Sequence, residues 1–207
     1  MLSDYTKYDY LYPPRPEKKI PASVLGFYEK RGWHAQVKKN GTCNIIFVGP
    51  DGVLFKTRHN DDHRQWTPNK ATVDFFKQFP AWTVFVAELM HNKTKHIKDV
   101  NYINDILVYN GEYLVGKTYA ERQELLQSII PACIGETYSH NIINENIWVA
   151  KNWSGDLTSI WDIAQKYDED EGLVLKRPNS KLTHCFKNNS NSNWLVKCRK
   201  GTKNYGF

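Results

Sequence analysis

The sequence predicts an α+β fold of antiparallel sheets flanked by helices, on three observations. Three apolar-leaning runs, Trp33–Lys38, Cys43–Val48 and Val53–Arg58, are joined by short links carrying Asn40-Gly41 and Gly49-Pro50-Asp51-Gly52. Both links have turn chemistry, so the runs read as an antiparallel meander. Further short strand-like runs recur to the end of the chain, and between them lie segments with helical spacing and capping signals.

Each element has its own justification. Residues 1–22 are rich in Tyr, Pro and Lys, and Pro13, Pro14 and Pro16 forbid a helix, so an extended arm lying on the domain is expected. Ser23–Lys30 reads as a short helix ended by Gly32. In the meander, Asn40 and Gly41 both tolerate positive φ, and the turn they make presents Lys38. The polar loop 59–70 carries His59 and His63 with Asp61 and Asp62 between them; no third convincing ligand is near, so solvated histidines are expected rather than a metal site. Ala71–Phe79 reads as a helix burying Val73, Phe76 and Phe79, stopped by Pro80. Trp82–Leu89 is a buried strand with Glu88 near its end, and 91–98 is a basic, polar loop.

After the strand Asp105–Tyr109, Gly111–Thr118 fits the phosphate-loop pattern Gly-x4-Gly-Lys-Thr letter for letter. Tyr113-Leu114-Val115 is bulky and β-prone, however, which favours a hairpin turning at Asn110-Gly111 over a loop that wraps backbone N–H groups around phosphates. Thr118 and Glu121 then form the capping box of a helix running to Ile130 and ended by Pro131. Residues 132–146 read as polar and irregular, and Ile147–Ala150 as a strand. Leu157–Tyr167 is an amphipathic helix burying Leu157, Ile160, Trp161 and Ala164. Four acids, Asp168–Glu171, run into a buried strand, Gly172–Leu175. A flexible connection, Asn188–Asn193, leads to the last strand, Trp194–Arg199. The expected organisation is the arm at 1–22, one domain at 23–200 and a basic tail at 201–207.

With 207 residues, 41% of them hydrophobic, the chain is long enough for one well-buried domain. The net charge of +6 suits a polyanionic partner. Cys43, Cys133, Cys185 and Cys198 are scattered without a Cys-x-x-Cys pair, which points to reduced thiols rather than a disulfide framework or zinc site. No apolar run approaches the length of a membrane span and the start lacks a signal peptide's regions, so the expected location is the cytoplasm, a host's if the chain is phage-encoded.

The chemistry is carried by an ordered set of motifs. Lys38-Lys39-Asn40-Gly41 is followed by Val84–Leu89 with Glu88, by Asp105–Gly111, by Glu171-Gly172-Leu173-Val174-Leu175-Lys176, and by Trp194–Arg199. This set resembles the covalent nucleotidyltransferases: ATP-dependent DNA and RNA ligases and mRNA capping enzymes. The resemblance covers nearly the whole chain, and the Glu171–Lys176 block is its most specific part. It implies a nucleotidyltransferase domain, the ATP-grasp-like adenylation domain of ligases, of the compact phage type. The chain ends eight residues after Arg199, so the C-terminal OB barrel that such enzymes append is not expected.

The resemblance also implies roles. Lys38 would be the catalytic lysine that becomes lysyl-AMP. A lysine attacks phosphorus only as the neutral amine, which nearby cations favour; Lys176, Lys197, Arg199 and bound Mg²⁺ are the candidates, and they would also bind the triphosphate. Glu88 and Glu171 would hold the metal, Mg²⁺ or Mn²⁺, with Glu88 also at the ribose. Arg58 would lie near the ribose or 5′-phosphate, and Gln36 would read the adenine edge, since an amide offers both a donor and an acceptor. The partner would be a nucleic acid with 5′-phosphate and 3′-hydroxyl ends, the enzyme a monomer that touches no membrane. The sequence departs from the family in three places: Asn40 replaces the usual aspartate, Cys43 stands where an arginine is usual, and Asn104 occupies the place of the aromatic that stacks on adenine, with Tyr102 the nearest substitute. The relaxed lysine motif and missing barrel incline the expected substrate toward RNA or nicked hybrids. The alternatives are a capping-type guanylyltransferase, a phosphate-loop NTPase using Gly111–Thr118, and a non-catalytic nucleic-acid-binding module.

Overall fold

The computed structural model describes residues 4–183, 185–186 and 191–201. In chain order the elements are β1 (Arg15–Ile20), a 3-10 turn (Ala22–Val24), α1 (Leu25–Glu29), β2 (His34–Lys39), β3 (Thr42–Gly49), β4 (Gly52–Thr57), α2 (Lys70–Phe76), β5 (Thr83–Met90), β6 (Val100–Tyr109) and β7 (Glu112–Tyr113). They continue with α3 (Tyr119–Ile129), β8 (Gly135–Glu136), β9 (His140–Asn144), β10 (Ile147–Ala150), α4 (Leu157–Ala164), β11 (Asp170–Lys176) and β12 (Asn191–Arg199).

The strands make two sheets. The smaller has the order β1-β12-β11-β2; the larger runs β4-β3-β5-β6-β10-β9-β8, with β7 also paired to β6. Most pairings are antiparallel, as the α+β expectation requires, but β1 runs parallel to β12 and β10 parallel to β6. Each sheet has its own core. Phe47, Phe76, Phe85, Ile103, Ile106 and Leu126 belong to the core of the larger. Leu25, Ala35, Val37, Leu157, Ile160, Leu173 and Leu175 pack α1 and α4 against the smaller. No helix among the described residues is long and apolar enough to cross a membrane.

The most consequential difference from the sequence reading is at Asn40-Gly41. Strands β2 and β3 do not pair: β2 lies in the small sheet and β3 in the large one, so the link is a crossing between sheets and not a hairpin. Only β3 and β4 form the expected hairpin. Neither Asn40 nor Gly41 has positive φ. Gly41 is needed for another reason: a Cβ there would sit 2.5 Å from the Leu89 carbonyl oxygen and 2.6 Å from Glu88 Cγ.

Other differences are local. The segment read as an arm contributes Tyr5 and Leu11 to the large core, and its residues 15–20 form the edge strand β1, where Pro16 costs no ladder bond in a central strand. Residues 132–146, expected to be irregular, contain β8 and β9. Strand β12 begins at Asn191, inside the expected connection 188–193, whose residues 188–190 lie outside the described set, as does the tail from 202 onward. Helices α2 and α4 stop at Phe76 and Ala164, earlier than their apolar spacing suggests. His59 is exposed, but His63 is half-buried with Nε2 3.0 Å from Asn44 Oδ1, so it is not a solvated loop residue.

The phosphate-loop pattern folds as a hairpin. Asn110 (φ 49°) and Gly111 (φ 80°) turn β6 into β7, the Leu114 N–H donates to the Leu107 carbonyl, and Lys117 is exposed. Thr118 and Glu121 make the reciprocal capping box of α3.

Candidate active site

The cleft between the facing sheets follows from strand alternation and one bulge. On β2, Ala35 and Val37 point into the small core, which turns Gln36 and Lys38 to the opposite face. The neighbouring strands present Val174 and Lys176 on β11 and Lys197 and Arg199 on β12 in register with them, Gln36 opposite Val174 opposite Lys197. Between β2 and β11 the register jumps from Lys39↔Asp170 to Lys38↔Gly172. Glu171 is therefore the extra residue of a β-bulge, a device that re-aims a side chain. Its Oε2 lies 2.6 Å from Lys38 Nζ and 3.0 Å from Arg199 Nη2.

The large sheet supplies the other wall through the row Cys43↔Glu88↔Tyr102, with Arg58 just after β4. Pro13, Pro14 and Pro16 of the N-terminal segment close one side. The cleft has about 810 Å³ of space, open to solvent, and is lined by Gln36, Lys38, Arg58, Glu88, Tyr102 and Lys176 among others. Six predicted site residues thus meet in one cleft, with Glu171 and Arg199 tied to Lys38 at its edge. Lys197 is electrostatically coupled to Lys38, Arg58 and Arg199.

The local electrostatics are those of a site for polyanions. Burial, then the charges of Arg199, Lys38 and Arg58, hold Lys197 below the usual lysine range. Burial brings Lys176 down to about 8, against the pull of Asp105. Burial pushes the Glu88 carboxyl up, although Lys38 and Lys93 draw it down. Glu88 also accepts the Gly41 N–H at 3.1 Å. Buried Arg58 Nε has no hydrogen-bond partner among the described residues.

Several participants escaped the sequence reading. Lys93, placed there in a solvated loop, donates to the Gly41 carbonyl beside Glu88. Lys39 and Asp170 form an ion pair, 2.6 Å apart, with side chains 1% and 0% exposed, and Tyr138 donates its hydroxyl to the same carboxylate. Behind Lys176, Arg122 grips Asp105 with two bonds of 2.9 Å. Asn104 contributes its backbone: the carbonyl accepts from Gln36, Gln123 and Lys176 at 3.2–3.4 Å. Tyr102 lines the cleft with its hydroxyl donating to Val37 O and Ser139 O.

Residues 77–197, more than half of the chain, match the family model described as ATP dependent DNA ligase domain. The chain belongs to that family. The matched stretch of this ligase-family domain holds Glu88, Glu171, Lys176 and Lys197, while Gln36, Lys38 and Arg58 precede it. Among solved structures it is similar to a mycobacterial DNA ligase D complexed with ATP and MES (TM-score 0.67, 16% identity, 91% of this chain and 60% of that one). It is also similar to the ligase domain of M. tuberculosis LigD (TM-score 0.67, 17% identity, 91% and 59%) and to a Lig E DNA ligase (TM-score 0.56, 14% identity, 94% and 70%). At these identities the likeness establishes the fold, a nucleotidyltransferase ligase domain. The chain spans about three fifths of the length of the two ligase D structures. No curated protein matches its sequence.

Proposed function

We propose that this chain is an ATP-dependent polynucleotide ligase that works through a lysyl-AMP intermediate on Lys38. The observation that carries the reading is the convergence of Lys38 with Glu171 and Arg199 at the edge of a cleft also lined by Gln36, Arg58, Glu88 and Lys176. That set offers one nucleophile, several fixed cations for a triphosphate and carboxylates for a cation, as phosphoryl transfer requires.

In the proposed first step Lys38 Nζ attacks the α-phosphorus of ATP, forming a P–N bond as pyrophosphate leaves. A polynucleotide 5′-phosphate oxygen then takes the AMP and frees the lysine. Finally a 3′-hydroxyl attacks the activated 5′-phosphate, forming the phosphodiester and releasing AMP. Lys176, Lys197 and Arg199 face the triphosphate, Arg58 the ribose or the 5′-phosphate, and Gln36 the base. Glu88 and Glu171 are hard oxygen donors suited to Mg²⁺ or Mn²⁺, which takes few carboxylates and completes its shell with water and phosphate. When bound, the metal neutralises phosphate charge and polarises phosphorus. The family match moves the expected substrate toward DNA, with nicked duplex the first to try. The chain acts as a monomer in the cytoplasm on this reading.

The test is incubation with Mg²⁺ and α-labelled ATP, or GTP, after pre-treatment with pyrophosphate to strip bound AMP. Label on the wild type and on Lys117→Ala but not on Lys38→Ala is expected. Label that survives Lys38→Ala overturns the assignment, and preference for GTP returns the capping-type alternative.

A further inference from the structure

We infer that Gln123, on α3 and outside the cleft, acts with the Asn104 backbone carbonyl to fix which end of the Gln36 amide faces the base, and so makes this site select adenine over guanine. The inference rests on the adenylation reading above and deepens it.

An amide side chain is ambiguous: it offers two N–H donors on one side and a carbonyl acceptor on the other, and can turn over. Guanine presents an oxygen where adenine presents an amine, so an unfixed glutamine would serve either base. Here its orientation is determined by acceptors alone. Gln36 Nε2 lies 3.3 Å from the Asn104 backbone carbonyl, which can only accept, and 3.1 Å from Gln123 Oε1. The Gln123 amide is oriented in turn, because its own Nε2 donates to the same Asn104 carbonyl at 3.2 Å. Both N–H groups of Gln36 are thereby spent on the protein. Its Oε1 takes no hydrogen bond among the described residues, while Gln36 lines the cleft. The residues are 2% and 4% exposed, so water does not compete for these bonds.

The consequence is an acceptor aimed at the base. It matches the exocyclic amine of adenine and opposes the exocyclic oxygen of guanine, a mismatch that leaves buried polar atoms unpaired. Remove the Gln123 acceptor and one of the two bonds that hold the Gln36 amide is lost, leaving only the longer one to the Asn104 carbonyl, so the turned-over amide becomes easier to reach.

The experiment measures equilibrium binding of ATP and of GTP by calorimetry, alongside labelling, for the wild type, Gln123→Met and Gln123→Glu. Methionine keeps length and packing without an acceptor; glutamate keeps the acceptor opposite Gln36 Nε2. The expected result is an ATP/GTP binding ratio that falls about tenfold or more in Gln123→Met and is held within a few-fold by Gln123→Glu. An unchanged ratio in Gln123→Met, or a ratio lost as fully in Gln123→Glu, overturns the inference. If Gln123→Met fails to fold, the glutamate variant decides in the same way. Selective binding without labelling of the wild type sinks the adenylation reading alone, and labelling with an unmoved ratio sinks this one alone.

Discussion

Lys38 Nζ and Glu171 Oε2 lie 2.6 Å apart, and the same oxygen is 3.0 Å from Arg199 Nη2. The proposed nucleophile, a metal-ligand candidate and a proposed phosphate-binding cation are thus one cluster in the free protein. Attack on phosphorus needs the lysine lone pair, so the contact with Glu171 has to open when the nucleotide and its cation arrive.

Glu171→Gln is therefore expected to reduce the rate of self-labelling on the order of 100-fold or more. Lys38 and Glu171 side chains retain 24% and 14% exposure, so the loss of stability should stay near 1 kcal/mol. Single-turnover labelling and a thermal melt check the two parts; a melt that collapses along with activity would assign Glu171 a structural role instead.

If Lys176 faces the triphosphate as proposed, ATP binding is expected to be sensitive to alkali. Burial lowers it to about 8, so in the free protein it is charged at neutral pH and loses its proton as pH rises through that value. The ATP dissociation constant should rise between pH 7 and pH 9, and Lys176→Arg, which keeps its charge, should flatten the profile. Stability moves the other way: the unfolded chain binds the proton more tightly, so the Lys176 contribution to stability increases from about pH 8 up to the ordinary lysine range. Titration of binding and urea melts across this range test both signs.

The Arg122–Asp105 pair is a support for the cleft floor. Burial would raise the Asp105 carboxyl, but the Arg122 guanidinium outweighs it and holds the group below the usual carboxylate range. Arg122→Met strands a buried carboxylate and should cost about 3–5 kcal/mol, whereas Arg122→Met with Asp105→Leu should recover much of that. Urea unfolding of the single and double variants gives the comparison.

Gly41→Ala should lower stability as well as disable labelling by at least about tenfold, because the new Cβ meets the backbone carbonyl of Leu89, which has no rotamer to swing aside, and displaces Glu88. A lowered melting temperature together with lost label is the expected pair of results. Undiminished label would mean that the crossing between the sheets can shift without cost.

What the sequence revealed and hid has physical causes. Gln36, Lys38, Glu88, Lys176 and Lys197 stand on strands in ordered motifs, and a strand fixes which face a side chain takes. The β2–β3 pairing was misjudged because Asn-Gly is a local hairpin signal, whereas the need for glycine at position 41 comes from the Leu89 carbonyl, distant in sequence. Strands β8 and β9 lack clear apolar alternation: Gly135–Glu136 and His140–Asn144 hold their places through ladder bonds to each other and to β10. Gln123 was invisible for a different reason. Helical spacing identifies the apolar face of α3, but Arg122 and Gln123 are buried there too, held by the polar atoms of Asp105 and Asn104.

The small sheet also sets a timetable. Strand β2 has β11 as its strand partner, with Lys39 paired to Asp170, 131 positions later in the chain. On a ribosome adding about 5–20 residues per second, the segment bearing Lys38 waits roughly 7–26 s for that partner to be made. Strands β1 and β12, brought together in parallel from near opposite ends of the chain, close the sheet later still. The nascent chain can collect much of its large core early, but Lys38 gains its setting only after β11 and β12 have been made.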